Sequence, residues 1–225
     1  RSEINSAIDR IFDSSQFTLG DEVKLFEGEF SSFCNCDYGI GVNSGTSALH
    51  LALLAAGIQE GDEVITVANT FIATVSAISY CNATPVFVDV DESTCNINAE
   101  LIEEKITAKT KAIIVVHLYG NPAHAKKVSE IADNHNLILI EDAAQAHDSE
   151  YLGKRIGSWG HMACFSFYPG KNLGACGEAG IVTTNDQQYA SKIRMLRDWG
   201  QPKKYHHEYQ GYNYRMEGLQ GAILR

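Results

Sequence analysis

Short apolar runs and stretches with helical spacing alternate along this chain. The run Glu63-Val64-Ile65-Thr66-Val67 reads as a strand, and residues 86–90, 112–117, 137–140, 163–168 and 180–184 repeat the pattern. Several of these runs are apolar without a break, as in strands covered on both faces. Between them, residues 46–56, 72–81, 99–107, 124–135 and 186–199 carry the pattern of helices. Strand–helix alternation predicts right-handed crossovers and an α/β fold, three layers (α/β/α) around a mostly parallel sheet. Residues 200–211 are polar and aromatic with no period and read as an exposed loop. There is no repeat, low-complexity stretch or linker, so 1–225 reads as one domain. The chain opens on Arg1 and breaks off in a helical pattern at Gln220-Gly221-Ala222-Ile223-Leu224-Arg225. The expectation is the N-terminal part of a longer protein.

Composition narrows the classes. Hydrophobic residues make up 44% and charged residues 20% of the 225, an ordinary globular balance. The formal net charge of −10, with no basic block, argues against nucleic acid as a partner. No apolar run approaches the roughly 20 residues of a membrane span. The six cysteines (Cys34, Cys36, Cys81, Cys95, Cys164, Cys176) form no Cys-x-x-Cys pair. They read as reduced, mostly buried thiols of a cytoplasmic protein. The pair His206-His207 lacks metal-ligand spacing, and no metal site is expected.

Ligands of such sheets sit beyond the carboxyl ends of the strands, so polar residues just past those ends carry the chemistry. Three segments qualify. Asn43-Ser44-Gly45-Thr46-Ser47 is a small polar turn opening a helix. Its free N–H groups suit an anion, and its serines equally suit a plain helix cap. Glu141-Asp142-Ala143-Ala144-Gln145 follows an apolar strand. A buried aspartate there needs a cation or donors to stay charged; a protonated ring nitrogen would serve, and a capping role is the alternative. Ser166-Phe167-Tyr168-Pro169-Gly170-Lys171 ends a strand in a Pro-Gly turn. Most lysines are solvated, but small and apolar neighbours can leave a nucleophilic amine. An anion cradle, a carboxylate for a ring nitrogen and an amine nucleophile together make the parts of a pyridoxal phosphate site. His117 ends a strand near that site, where a substrate-facing role is open. Glu141 should point away from Asp142.

These segments, with Thr70-Phe71-Ile72-Ala73-Thr74, Pro85-Val86-Phe87-Val88-Asp89, His117-Leu118-Tyr119-Gly120 and Gly211-Tyr212-Asn213-Tyr214-Arg215-Met216, resemble in order and spacing the DegT/DnrJ/EryC1/StrS sugar aminotransferases. The resemblance implies the large domain of the aspartate aminotransferase (type I) fold, without the family's C-terminal small domain. It implies pyridoxal 5'-phosphate as cofactor. Lys171 matches the Schiff-base lysine, Asp142 the partner of the pyridinium nitrogen and Gln145 the amide near the ring hydroxyl. Gly45, Thr46 and Ser166 match phosphate ligands, and Phe71 the aromatic stacked on the ring. Asn213 matches an asparagine that reaches the phosphate of a neighbouring subunit, which implies a homodimer with shared active sites. The implied reaction moves an amino group from an amino acid, usually glutamate, to a nucleotide-linked keto-deoxysugar, for deoxyamino-sugar and polysaccharide or O-antigen biosynthesis. Residues 168–175, and Arg197-Asp198-Trp199-Gly200-Gln201 with Lys204-Tyr205, resemble the branch acting at C3 of dTDP-3-keto-6-deoxyhexoses. Amination at C4 and a non-catalytic, cofactor-binding regulator are the alternatives. Ala179 stands where the family often has glycine, which a negative φ would tolerate, and His161 where an acid is common.

Overall fold

A computed structural model describes residues 1–225. Its elements run α1 (Ser2–Ser14), α2 (Asp21–Phe33), β1 (Tyr38–Val42), α3 (Gly45–Ala55), β2 (Glu63–Val67), α4 (Ile72–Tyr80) and β3 (Thr84–Val88). Then follow β4 (Thr110–Val116), α5 (Ala125–Asn134), β5 (Ile138–Asp142), β6 (Glu150–Tyr151), β7 (Lys154–Arg155), β8 (Met162–Ser166), β9 (Gly180–Thr184), α6 (Gln187–Arg197) and α7 (Gly218–Leu224). Seven strands form one sheet in the order β1-β9-β8-β5-β4-β2-β3, and β6 and β7 make a separate hairpin. The pairs from β8 through β5, β4 and β2 to β3 are parallel; β9 is antiparallel to both of its neighbours.

Strand alternation sorts the core onto two faces. In β4, Ala112 and Ile114 pack with residues of α3, α4 and α6, while Ile113 and Val115 pack with α5. On that second face, α2 covers the β8–β9 half: Phe26 and Phe30 meet Phe165 and Phe167 edge-on, with ring centroids 5.0–5.2 Å apart. Both faces are thus covered, which is why the central strands are continuously apolar.

The structure corrects several sequence expectations. The strand expected at 86–90 is β3, two residues earlier. The helix expected over 99–107 is two 3₁₀ turns, Ala99–Leu101 and Glu103–Lys105. Nine residues repay helix nucleation poorly, and Glu100, Glu103 and Glu104 would repel one another along one α-helical face. The segments α1, α2 and β1 lie outside the sequence-predicted elements. Cys34, Cys36, Cys81 and Cys164 are buried, as expected for most of the thiols, whereas Cys95 and Cys176 are exposed. Burial pushes the Cys36 thiol up to about 11. Residues 200–211 form the expected exposed loop, apart from the half-buried ends Gln201 and Gly211 and the buried Gly200. No helix is long and apolar enough to cross a membrane.

Candidate active site

The carboxyl ends of β4, β5 and β8 and the first turns of α3 and α4 surround a cavity of about 590 Å³. Gly45, Thr46 and Ser166 form one wall. Asp142, Gln145 and Lys171 line it as well, with Phe71 at its edge. The segments that supply these side chains are up to 126 residues apart, from Gly45 to Lys171, and the parallel sheet brings their strand ends together.

At the α3 wall the cap reading holds, and the helix start leaves N–H groups of the kind the anion reading calls for. Ser44 is extended and its hydroxyl accepts from the Ser47 N–H at 3.1 Å, an ordinary cap. Gly45 and Thr46 follow as the first helical residues, whose N–H groups no helix can satisfy internally. A Cβ on Gly45 would lie 2.7 Å from Cβ of Ser166, so only glycine lets this helix start approach the end of β8.

Asp142 closes β5 and is 6% exposed. Its carboxylate accepts from Thr74 Oγ1 at 2.7 Å and from the Ala144 N–H at 3.2 Å. Thr74 spends its only hydroxyl proton on Asp142, so the 2.7 Å contact between Thr70 and Thr74 must run from Thr70 as donor. Burial pushes the Asp142 carboxyl up; the Thr74 and Ala144 bonds and the Lys171 charge pull it part of the way back. Thr74 is a site residue that sequence reasoning missed. The signal was Thr74 in the first turn of α4, four residues after Thr70, two hydroxyls spaced to meet beside the helix start.

Lys171 is half-buried and engages in no ion pair; its N–H closes the Tyr168-Pro169-Gly170-Lys171 turn onto Tyr168 O at 2.8 Å. Oε1 of Gln145 accepts from the Tyr119 N–H at 2.7 Å. Phe71 precedes α4 with its ring 64% exposed.

Glu141 points away from Asp142, as expected. Its carboxylate takes the N–H groups of Gly157, Trp159 and Gly160 at 2.8–3.1 Å. His117 lines the cavity, but its side chain is fully buried against Glu141 and both ring nitrogens are taken, so it offers the cavity no free ring nitrogen. The Ala123 N–H donates to Nδ1 at 3.1 Å, so the proton sits on Nε2 and is donated to Glu141 at 3.2 Å. Asn213 lies on the surface outside the cavity, with Oδ1 accepting from Arg215 Nε at 3.0 Å and Nη2 at 2.8 Å. Arg197, in the segment that resembled the C3 branch, is buried against Glu27 and the Gly41 carbonyl, a structural tie between α6, α2 and β1. Ala179 is buried and has no left-handed φ, so its methyl is tolerated as expected.

Residues 1–225 match the DegT/DnrJ/EryC1/StrS aminotransferase family. The chain is 48% identical, over all of its length and 59% of the relative's, to the dTDP-3-amino-3,4,6-trideoxy-alpha-D-glucose transaminase of Streptomyces venezuelae. It is 47% identical, over all of its length and 60% of the relative's, to a pleiotropic regulatory protein of Geobacillus stearothermophilus. It also resembles the crystal structure of S. venezuelae DesV in complex with a ketimine intermediate, with a TM-score of 0.98 and 48% identity over all of this chain and 61% of that one. The chain thus spans about three-fifths of the length of the relatives it matches. The expected aminotransferase fold is borne out by this likeness.

Proposed function

The chain belongs to the DegT/DnrJ/EryC1/StrS aminotransferase family, and from that membership we propose that it is the cofactor-binding large domain of a pyridoxal phosphate-dependent nucleotide-sugar aminotransferase. The amino donor is an amino acid, with glutamate the first to test. The acceptor is a nucleotide-linked keto-deoxysugar, aminated at C3 of a dTDP-3-keto-6-deoxyhexose. The name of the Streptomyces relative supports that position and nucleotide. The enzyme works in the cytoplasm as a homodimer, in which the surface-exposed amide of Asn213 serves the partner's site.

One observation carries the reading: a half-buried lysine, a buried aspartate and the open start of a helix face one cavity. The fit to pyridoxal phosphate rests on the same chemistry. Asp142 is buried with no cation bonded to it, and a protonated ring nitrogen would relieve its desolvation. Gly45, Thr46 and Ser166 would hold the phosphate at the positive end of α3. Phe71 would cover the ring, and the Lys171 amine would hold the cofactor covalently. When bound, the cofactor supplies an electron sink for the pair released as the donor's α C–H bond breaks. Asp142 would keep the ring nitrogen protonated. Nζ of Lys171 would take the α-proton from the donor carbon and deliver it to the cofactor carbon that receives the amino group. Thr70 and Thr74 hold the Asp142 carboxylate in place.

The name of the Geobacillus relative favours a second reading, a regulator on the same scaffold. Both readings bind cofactor and only one turns over. Adding glutamate to the cofactor-loaded protein should move the cofactor's visible absorbance into the near ultraviolet, and a 3-keto nucleotide sugar should restore it. A spectrum indifferent to amino donors would reject the enzyme and leave the regulator.

A further inference from the structure

Tyr119 sits in the short turn Leu118–Gly120 that follows β4, with φ +55° and ψ +22°, the left-handed region, which a bulky residue avoids. The residue is 83% exposed, so packing of the side chain does not drive it there. The surrounding turn is over-determined instead. The Leu118 N–H donates to Asn96 Oδ1 at 3.1 Å, and Ser149 Oγ donates to the Gly120 carbonyl at 2.8 Å. The buried His117 imidazole fixes the residue before them through Glu141 and Ala123. Such strain persists where neighbours impose it, and it gathers at functional sites.

The consequence lies one bond away. With the backbone in this conformation, the Tyr119 N–H donates to Gln145 at 2.7 Å. An N–H can only donate to the amide oxygen, so the contact fixes which way the amide is turned. Oε1 is committed, and the Nε2 donors are left for the cavity that Gln145 lines. We propose that the left-handed turn at Tyr119 is a positioning device that holds the Gln145 amide with its NH₂ toward the cavity, to donate to an oxygen acceptor of the bound cofactor. Tyr119 acts through its backbone and not through its ring. The inference rests on the pyridoxal phosphate reading for the identity of the acceptor, but not for the orientation of the amide.

The test has one arm without cofactor and one with it. Hydrogen exchange at the Tyr119 amide of the cofactor-free protein should be slow and should speed up at least about tenfold in Gln145→Ala, as loss of one hydrogen bond predicts. Unchanged exchange would mean the bond does not form and would overturn the proposal, whatever the cofactor. In the second arm, pyridoxal phosphate affinity is measured for Tyr119→Val, Tyr119→Gly, Gln145→Ala and the Tyr119→Val/Gln145→Ala pair. Valine resists left-handed backbone, so Tyr119→Val should weaken binding about tenfold. Tyr119→Gly keeps the N–H and accepts this φ, so it should bind more tightly than Tyr119→Val. In the Gln145→Ala background Tyr119→Val should add nothing. Additive losses, or Gly as poor as Val, would overturn the proposal. Wild-type protein that binds no pyridoxal phosphate, while the exchange result stands, would instead reject the cofactor reading.

Discussion

Glu141 and Asp142 are adjacent carboxylates at the end of one strand, both buried, and they do opposite things. Glu141 faces the loop at 157–160 and accepts four hydrogen bonds, three of them from backbone N–H groups. Asp142 faces the cavity, accepts two, and burial raises its carboxyl. A carboxylate saturated by the backbone is a clasp, joining β4, β5 and a loop. One left short of partners beside a cavity is a receptor for positive charge. Period-two alternation, and not composition, separates the two roles.

The contrast can be broken at the site first. Lys171→Ala should lower turnover by about 10⁴-fold or more, because it removes both the proposed covalent anchor and the proposed proton carrier, while the fold melts unchanged. Steady-state assay and thermal melting check this together. Asp142→Asn should cost about 10³-fold in turnover, since a neutral ring is a poorer electron sink, and should stabilise the cofactor-free protein at neutral pH. The sign follows from linkage. A raised carboxyl makes the folded state bind more protons than the unfolded one above about pH 4, so stability falls as pH rises through the raised value. Chemical denaturation across pH should show that fall in the wild type and a flatter curve in Asp142→Asn.

On the other face the prediction inverts. Glu141→Gln should cost roughly 2–4 kcal/mol of stability, because the amide nitrogen opposes N–H donors in a dry site. Urea unfolding measures it; a loss of activity at full stability would mean that Glu141 belongs to the site after all. The smallest effect is expected at the cavity mouth. Phe71→Ala should weaken cofactor binding by about two- to tenfold, the worth of one stacked ring, with little change in melting because the ring is already exposed.

Much of this was legible beforehand for physical reasons. The β4 and β5 runs are apolar because helices cover both faces, and the sequence pattern carries that directly. Asp142, Lys171 and the Ser44-Gly45-Thr46 turn were legible because the parallel sheet places strand ends and helix starts at one edge. What escaped notice depends on partners distant in the chain. The burial of His117 is set by Glu141 and by the Ala123 N–H, neither of which its strand-end position reveals. Thr74 gains its meaning only when α4 is laid against β5. In α2 the exposed Leu25 and Phe33 beside the buried Phe26 and Phe30 blur the period, whereas α1, which buries Ala7 and Ile11, carries a helical period that the strand–helix alternation did not draw on. Tyr119 left no signal, since its left-handed backbone is imposed by Asn96, Ser149 and His117 and is not encoded by a glycine.

Lys171 is proposed as the residue to which pyridoxal phosphate bonds. Borohydride reduction of the cofactor-loaded protein fixes that bond, and peptide mapping by mass spectrometry locates it. A single pyridoxyl group is expected on the peptide carrying Lys171, lost in Lys171→Ala. A label on any other lysine, or none with cofactor bound, would contradict it.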